Sequence, residues 1–206
     1  TLGGSFLYSG FAVLLTNLSA TESYKGISGF PSYFTSFTKY RFFGVIPSQM
    51  VIFAVLAIIA YILLQRSKYG RMVYLCGVNE STAEYSGIKT KLIIMSTYVL
   101  SGISASIAGI IITSYLATSK ADFGAELTLP IITAVVLGGT SNLGGKGSIF
   151  GTVLASLIIG ILRFGLSMAG VNTQYLDIPV GVLLIIVVAF RAISSNHAIM
   201  AKLKKL

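Results

Sequence analysis

The sequence predicts an all-α, polytopic transmembrane helix bundle, and three observations carry that prediction. Of 206 residues, 54% are hydrophobic and only 10% charged, against about 25% charged in a soluble globular chain. The few charges stand between uncharged stretches long enough to be helical crossings. Twenty-two glycines and a mean hydropathy of +0.86 fit membrane helices, where glycine is commoner than in soluble ones.

A bilayer core of about 30 Å needs roughly 20 apolar residues as helix, and reading between the charges gives six crossings in one domain over 1–206. Leu2 to Thr16 comes first. It is apolar from the start with no charged n-region ahead of it, so it reads as a shortened helix of a fragment whose amino-terminal helices are missing. Phe42 to Gln65 follows, its helix starting near Pro47, since proline suits a first turn. Leu92 to Ser119 is the longest uncharged run. Leu127 to Gly145, Gly147 to Gly165 and Asp177 to Phe190 complete the set. The last has Asp177 as its N-cap and Pro179 in its first turn.

Orientation follows from lysine and arginine on alternate connections. With Arg66 to Lys91 on the cytoplasmic side, Arg66, Lys68, Arg71, Lys89, Lys91, Lys146, Arg191, Lys202, Lys204 and Lys205 fall inside. Lys25, Lys39, Arg41, Lys120 and Arg163 fall outside. The ten-to-five split places the carboxyl terminus in the cytoplasm.

The fourth crossing departs from the others. Thr128 caps a helix with Pro130 in its first turn, and Gly138-Gly139 ends it. Leu129 to Leu137 rises only about 14 Å at 1.5 Å per residue. The stretch that follows, from Thr140 through Gly144-Gly145-Lys146 to Gly147, is poor helix material. This predicts a broken crossing, a half-helix followed by a glycine-rich segment that completes the passage. Such backbone is tolerated at membrane depth only inside protein or along a wet cavity, and broken helices mark pathways in transporters. An ordinary helix with a frayed end is the competing reading. Ser101, Ala105 and Gly109, and likewise Gly147, Gly151 and Ala155, recur every four residues as helix-packing seams.

Several chemistries are excluded. The net charge of +9 is scattered between apolar spans, with no stripe for nucleic acid. Cys76 is the only cysteine and His197 the only histidine, so no intrachain disulfide, Cys-based metal cage or other metal site is expected. The glycine loop is not a phosphate-binding P-loop. That motif needs glycine six residues before its lysine and Ser or Thr directly after, where Thr140 and Gly147 stand. No catalytic grouping is present, and the charges flank the spans, which disfavours a proton relay and hence a secondary transporter. Asp122 and Glu126 read as a solvated rim. The aromatic-rich connection from Asn17 to Ile46, with Tyr24, Phe30, Tyr33, Phe34, Phe37, Tyr40, Phe42 and Phe43, reads as an interfacial belt against membrane lipid. Its alternative is a surface for an external protein or the lining of an outer gate. A passage lined by Ser, Thr, Asn, Gln and Tyr suits a neutral polar solute.

The segment from Arg66 to Lys91 predicts one short helix over Asn79 to Tyr85, with Asn79 as N-cap, Glu80 in the first turn and Gly87 as C-cap. Here the sequence resembles the permeases of sugar-type ABC importers. The likeness runs through Gly77-x-Asn79, Ala83, Ser86-Gly87-Ile88, then Ala134 to Ser141, Gly144-Gly145-x-Gly147-Ser148 and Gly151-Thr152. The family's usual Ala-Ala pair is Thr82-Ala83 here, and Val78 stands where a second glycine is common. Gly26 to Pro31, Leu129 to Gly139 and Met168 to Val171 resemble most the autoinducer-2 import branch of that family, with ribose, xylose and rhamnose permeases close behind.

The resemblance implies a multi-pass inner-membrane transport subunit that lacks roughly the first third of a permease and has no catalytic residues or cofactor. It implies a second permease subunit, cytoplasmic ATPase subunits that bind and hydrolyse ATP, and an external solute-binding protein. It makes 66–91 a coupling loop that meets the ATPase through Asn79, Glu80, Ala83, Glu84, Ser86 and Gly87. The broken crossing, with Pro130, Gly138, Gly139, Gly144 and Gly145, would then border the pathway.

Overall fold

Helices form wherever the chain offers uncharged runs, because a backbone removed from water must satisfy its own hydrogen bonds. The structure is a computed structural model that describes residues 2–19, 26–42, 44–121, 123–141, 144–172 and 175–203, with 191–203 described by backbone alone. Glu22, Tyr24, Lys25, Phe43, Asp122, Asn142, Leu143, Lys204 and Lys205 lie outside them. Among the described residues, three helical stretches are long and apolar enough to cross a membrane, Ser48–Arg66, Thr90–Leu116 and Ile149–Met168. Each of the six expected crossings has a helix within it.

The chain divides into two units, Thr1–Ile59 with Lys91–Leu127, and Ala60–Thr90 with Thr128–Leu206. The first holds α1 (Leu2–Ser19), β1 (Ile27–Ser28), α2 (Ser32–Lys39), β2 (Arg41–Phe42), β3 (Ile46–Pro47), most of α3 (Ser48–Tyr61), and most of α6 (Thr90–Leu116) with β4 (Thr118–Ser119) beyond it. Two antiparallel two-residue pairs, β1 with β4 and β2 with β3, tie its connections together. α2 was not foreseen, because the aromatic connection has no long apolar run. Its place is set by hydroxyls. Buried Ser114 on α6 donates to Phe34 O and lies 3.0 Å from the buried Thr38 hydroxyl, while Ser48 Oγ donates to Phe37 O at 2.8 Å. Buried hydroxyls need such partners. Tyr33, Phe37 and Tyr40 stay exposed on the same connection, as an interfacial belt requires.

The second unit holds α4 (Lys68–Val78), α5 (Glu80–Tyr85), α7 (Thr128–Leu137), α8 (Ile149–Met168) and α9 (Asp177–Leu203), preceded by a π-helical turn over Ile62–Arg66. The expected coupling segment therefore contains two helices rather than one; α4 escaped notice because its charges broke up any apolar pattern. Its core is a three-helix seam of Ala134 from α7, Ala155 and Ile159 from α8, and Val180 from α9, flanked by Leu129, Leu137 and Leu162. Buried Thr133 on α7 returns its hydroxyl to Leu129 O at 2.8 Å, so the seam holds no unsatisfied polar group at that point.

Three expectations need correction. Thr128 is the first helical residue of α7 rather than its cap. Asp177 is the first helical residue of α9 rather than its cap, and its carboxylate faces Arg163 Nη1 at 3.4 Å. Arg163 is not a flanking charge. It lies within the last two turns of α8, with its side chain four-fifths covered. An arginine placed there needs a carboxylate to offset its desolvation.

Candidate functional site

The second unit brings the 66–91 segment and the glycine-rich loop together, and the geometry starts at Ser67. The π-helical turn stops there as Ser67 adopts extended backbone, and its Oγ accepts from Gly70 N at 3.1 Å. A side chain on Gly70 would collide with Leu64 O. Only glycine lets α4 leave the preceding helix so sharply.

At Val78 the chain turns again. Asn79 is extended, and its Oδ1 accepts from Thr82 N at 3.0 Å, making it the N-cap of α5. The other end closes with equal definition. Gly87 N donates to Glu84 O and Ile88 N to Ala83 O, at 2.9 and 3.1 Å, a Schellman motif. Gly87 has φ +83°, where a β-carbon is penalised. Ser86 Oγ also donates to Thr82 O at 2.9 Å. A six-residue helix is too short to hold by propensity alone, so these caps hold it. Ala83 is buried beneath α5, whereas Asn79, Glu80, Glu84, Ser86 and Gly87 are exposed. Glu80 and Glu84, four apart on one helix face, are the only acids between Arg66 and Lys91. They form an acidic spot among exposed basic residues Arg66, Lys68, Arg71 and Lys89.

α7 ends where Gly138-Gly139 was expected to end it. Gly139 N donates to Val136 O and Thr140 N to Val135 O, both at 3.2 Å, a second Schellman closure. The ten residues of α7 rise about 15 Å, half of what a crossing needs. The loop beyond does not continue as an extended passage. It folds back, with Ser141 N donating to Lys146 O at 2.9 Å and Gly144 N to Ser141 O at 3.1 Å. Gly138 rests directly on the backbone of Gly151 and Thr152 at the start of α8, and a side chain on Gly151 would strike Gly138 O. Ser148 caps α8, its Oγ accepting from Gly151 N at 3.1 Å. Pro130 is buried in the first turn of α7, at the opposite end of that helix from Gly138 and Gly139.

The last turn of α4 presses on this loop. A β-carbon on Gly77 would stand 2.8 Å from Gly145 N, and one on Gly144 would meet Gly77 O. Val78 packs on Gly145, and Tyr74 Oη donates to Gly147 O at 3.3 Å. The sequence reading assigned no role to Tyr74, Gly77 or Gly70. Only a contact between distant segments shows why they are there. Among the described residues no group of three or more His, Cys, Asp or Glu could hold a metal ion.

The end of α4 thus rests on the glycine loop between α7 and α8, and residues 1–188 match the family described as branched-chain amino acid transport system / permease component. The chain belongs to that family. It is 40% identical over 197 residues to the autoinducer 2 import system permease protein LsrD of Salmonella typhimurium (strain LT2), a match covering 96% of this chain and 59% of that protein. The LsrD proteins of Photorhabdus luminescens and Yersinia enterocolitica are each 41% identical, with the same coverage. The chain thus spans about three-fifths of the length of the curated relatives it matches. No solved structure matches it.

Proposed function

We propose that this chain is a permease subunit of an ABC importer that carries autoinducer-2 into the cell. The observation that carries the reading is α5, a six-residue helix closed at both ends, with an exposed face of Asn79, Glu80, Glu84, Ser86 and Gly87 and its one buried side chain, Ala83, turned to the protein. A helix so firmly capped and so little buried is built to be touched. The similarity to LsrD permeases supports the cargo.

In this reading 66–91 and the carboxyl terminus are cytoplasmic, which the charge asymmetry supports. ATP is bound and hydrolysed by separate ATPase subunits that grip α5. A second permease subunit completes the pathway, and an external binding protein delivers the solute. Closure of the ATPases favours one bundle arrangement through contacts with α5 that differ between states, a population shift. The truncated α7, with Pro130 at one end and Gly138 and Gly139 at the other, borders the pathway, and the loop at Gly144 and Gly145 forms its inner mouth.

The test is transport by the importer reconstituted in proteoliposomes. Autoinducer-2 is expected to be taken up in preference to ribose, xylose and rhamnose; preference for one of the sugars would reassign the cargo. Glu84→Gln with Ser86→Ala should lower uptake about tenfold, the size of a coupling energy near 1.4 kcal/mol, while the subunits still co-purify. Unchanged uptake and ATPase stimulation would remove α5 from the docking role.

A further inference from the structure

We propose that Tyr74 and the side-chain-free contact of Gly77 with Gly144 and Gly145 form a rigid strap that carries movement of α4 and α5 into the junction of α7 and α8. The proposal rests on the docking role of α5 given above and adds the route by which docking reaches the membrane helices.

Three contacts define the route. At Gly77 α4 meets the loop through backbone, for neither Gly77 nor Gly144 leaves space for a β-carbon, and the Val78 side chain packs on Gly145 beside it. Contacts between side chains can yield by changing rotamer, which exposed side chains do within nanoseconds; a backbone contact has no rotamer to change. Tyr74 Oη then fixes the lateral position by donating to Gly147 O at 3.3 Å, and Gly147 precedes Ser148, the cap of α8. At its other end the loop leaves Gly138, which rests on Gly151 and Thr152. One loop is thus held by α4, by the end of α7 and by the start of α8. A displacement of α4 cannot be absorbed before it reaches the α7–α8 contact. Tyr74 is a positioning residue, since it touches backbone and acts through α8.

The experiment uses the assembled importer. Tyr74→Phe keeps the ring and removes the donor, and should reduce solute-stimulated ATPase and uptake together by about two- to thirtyfold, the range of mutations along a coupling route, with basal ATPase and assembly unchanged. The second arm tests rigidity. In a Cys76→Ser background, Val78→Cys with Gly145→Cys places two thiols where the β-carbons would lie 3.4 Å apart, close enough for a disulfide. If α4 and the loop move as one, the oxidised importer transports at the rate of the reduced one; loss of transport on oxidation, restored by reductant, would overturn the strap. Wild-type behaviour of Tyr74→Phe would overturn the role of Tyr74 while leaving α5 as the docking helix, provided Glu84→Gln with Ser86→Ala still uncouples. If that pair also has no effect, the docking reading itself falls and the strap has nothing to transmit.

Discussion

The two units use small residues in opposite ways. In the first, Ser114, Thr38 and Ser48 are buried and tie α2 to α6 and to the start of α3 by hydroxyl hydrogen bonds. In the second, Gly138, Gly151, Gly77 and Gly144 hold helices and loop together by letting backbones touch. A hydroxyl contact is directional but separable, each such bond in a membrane protein being worth about 0.6 kcal/mol on average. A glycine contact has little attraction of its own, and its strength is steric. The first kind suits a connection that must stay in place, and the second suits parts that must move together. The small-residue seams divide likewise. Gly151 and Ala155 are packed within their unit, but at Gly109 on α6, and at Gly102 two turns before it, nothing beyond the local helix backbone lies within 4 Å of where a side chain would begin.

Substitutions test that contrast, and the largest effect belongs to the glycine contacts. Gly151→Val should collapse the α7–α8 contact, costing upwards of about 3 kcal/mol as overpacking against backbone does, and thermal unfolding in detergent should show it as a large drop in Tm. A mild effect would mean that α8 can slide away from Gly138. Gly70→Ala follows, at about 1–3 kcal/mol, because the bend at Ser67 would have to open against Leu64 O; helix content by circular dichroism should survive while Tm falls. Ser114→Ala should cost about 1–2 kcal/mol, since Thr38 and Phe34 O lose a partner in a buried place, and proteolysis near α2 should speed up. The smallest change is Gly102→Ala. Helix propensity predicts a gain of up to about 1 kcal/mol, read as a small rise in Tm. A loss in the assembled importer would reveal that another chain lies against α6.

Local chemistry was legible in the sequence wherever a cap or a run of apolar residues decides the outcome. Asn79 and Gly87 bounded α5, Gly138-Gly139 ended α7, and Pro47 marked the entry to α3, because each acts through backbone bonds within a few residues. The helices α2 and α4 were missed for a physical reason. Their register is fixed by contacts from afar, Ser114 onto α2 and the glycine loop onto α4, which no local period reports. Arg163 was counted with the outer charges although the expected span, Gly147 to Gly165, contained it; its ion pair with Asp177, across the turn between α8 and α9, is a contact that no local pattern reports. The site itself was half legible: its exposed helix was named, but the strap of Tyr74, Gly77 and Gly145 joins residues some seventy positions apart.

Among the described residues, three helices end in the same closed form, at Gly87, at Gly139 and at Gly170, where Gly170 N donates to Ser167 O and Val171 N to Leu166 O. A helix end normally leaves carbonyls that seek water. Here several of those carbonyls are occupied by the chain's own amides. Such an end can tilt or slide through regions of different polarity without first finding new partners for those groups. In the function proposed above, the three closures would remove a solvation barrier from each transport cycle, so that α5, α7 and α8 could shift as intact rods with little melting or re-formation of their tips.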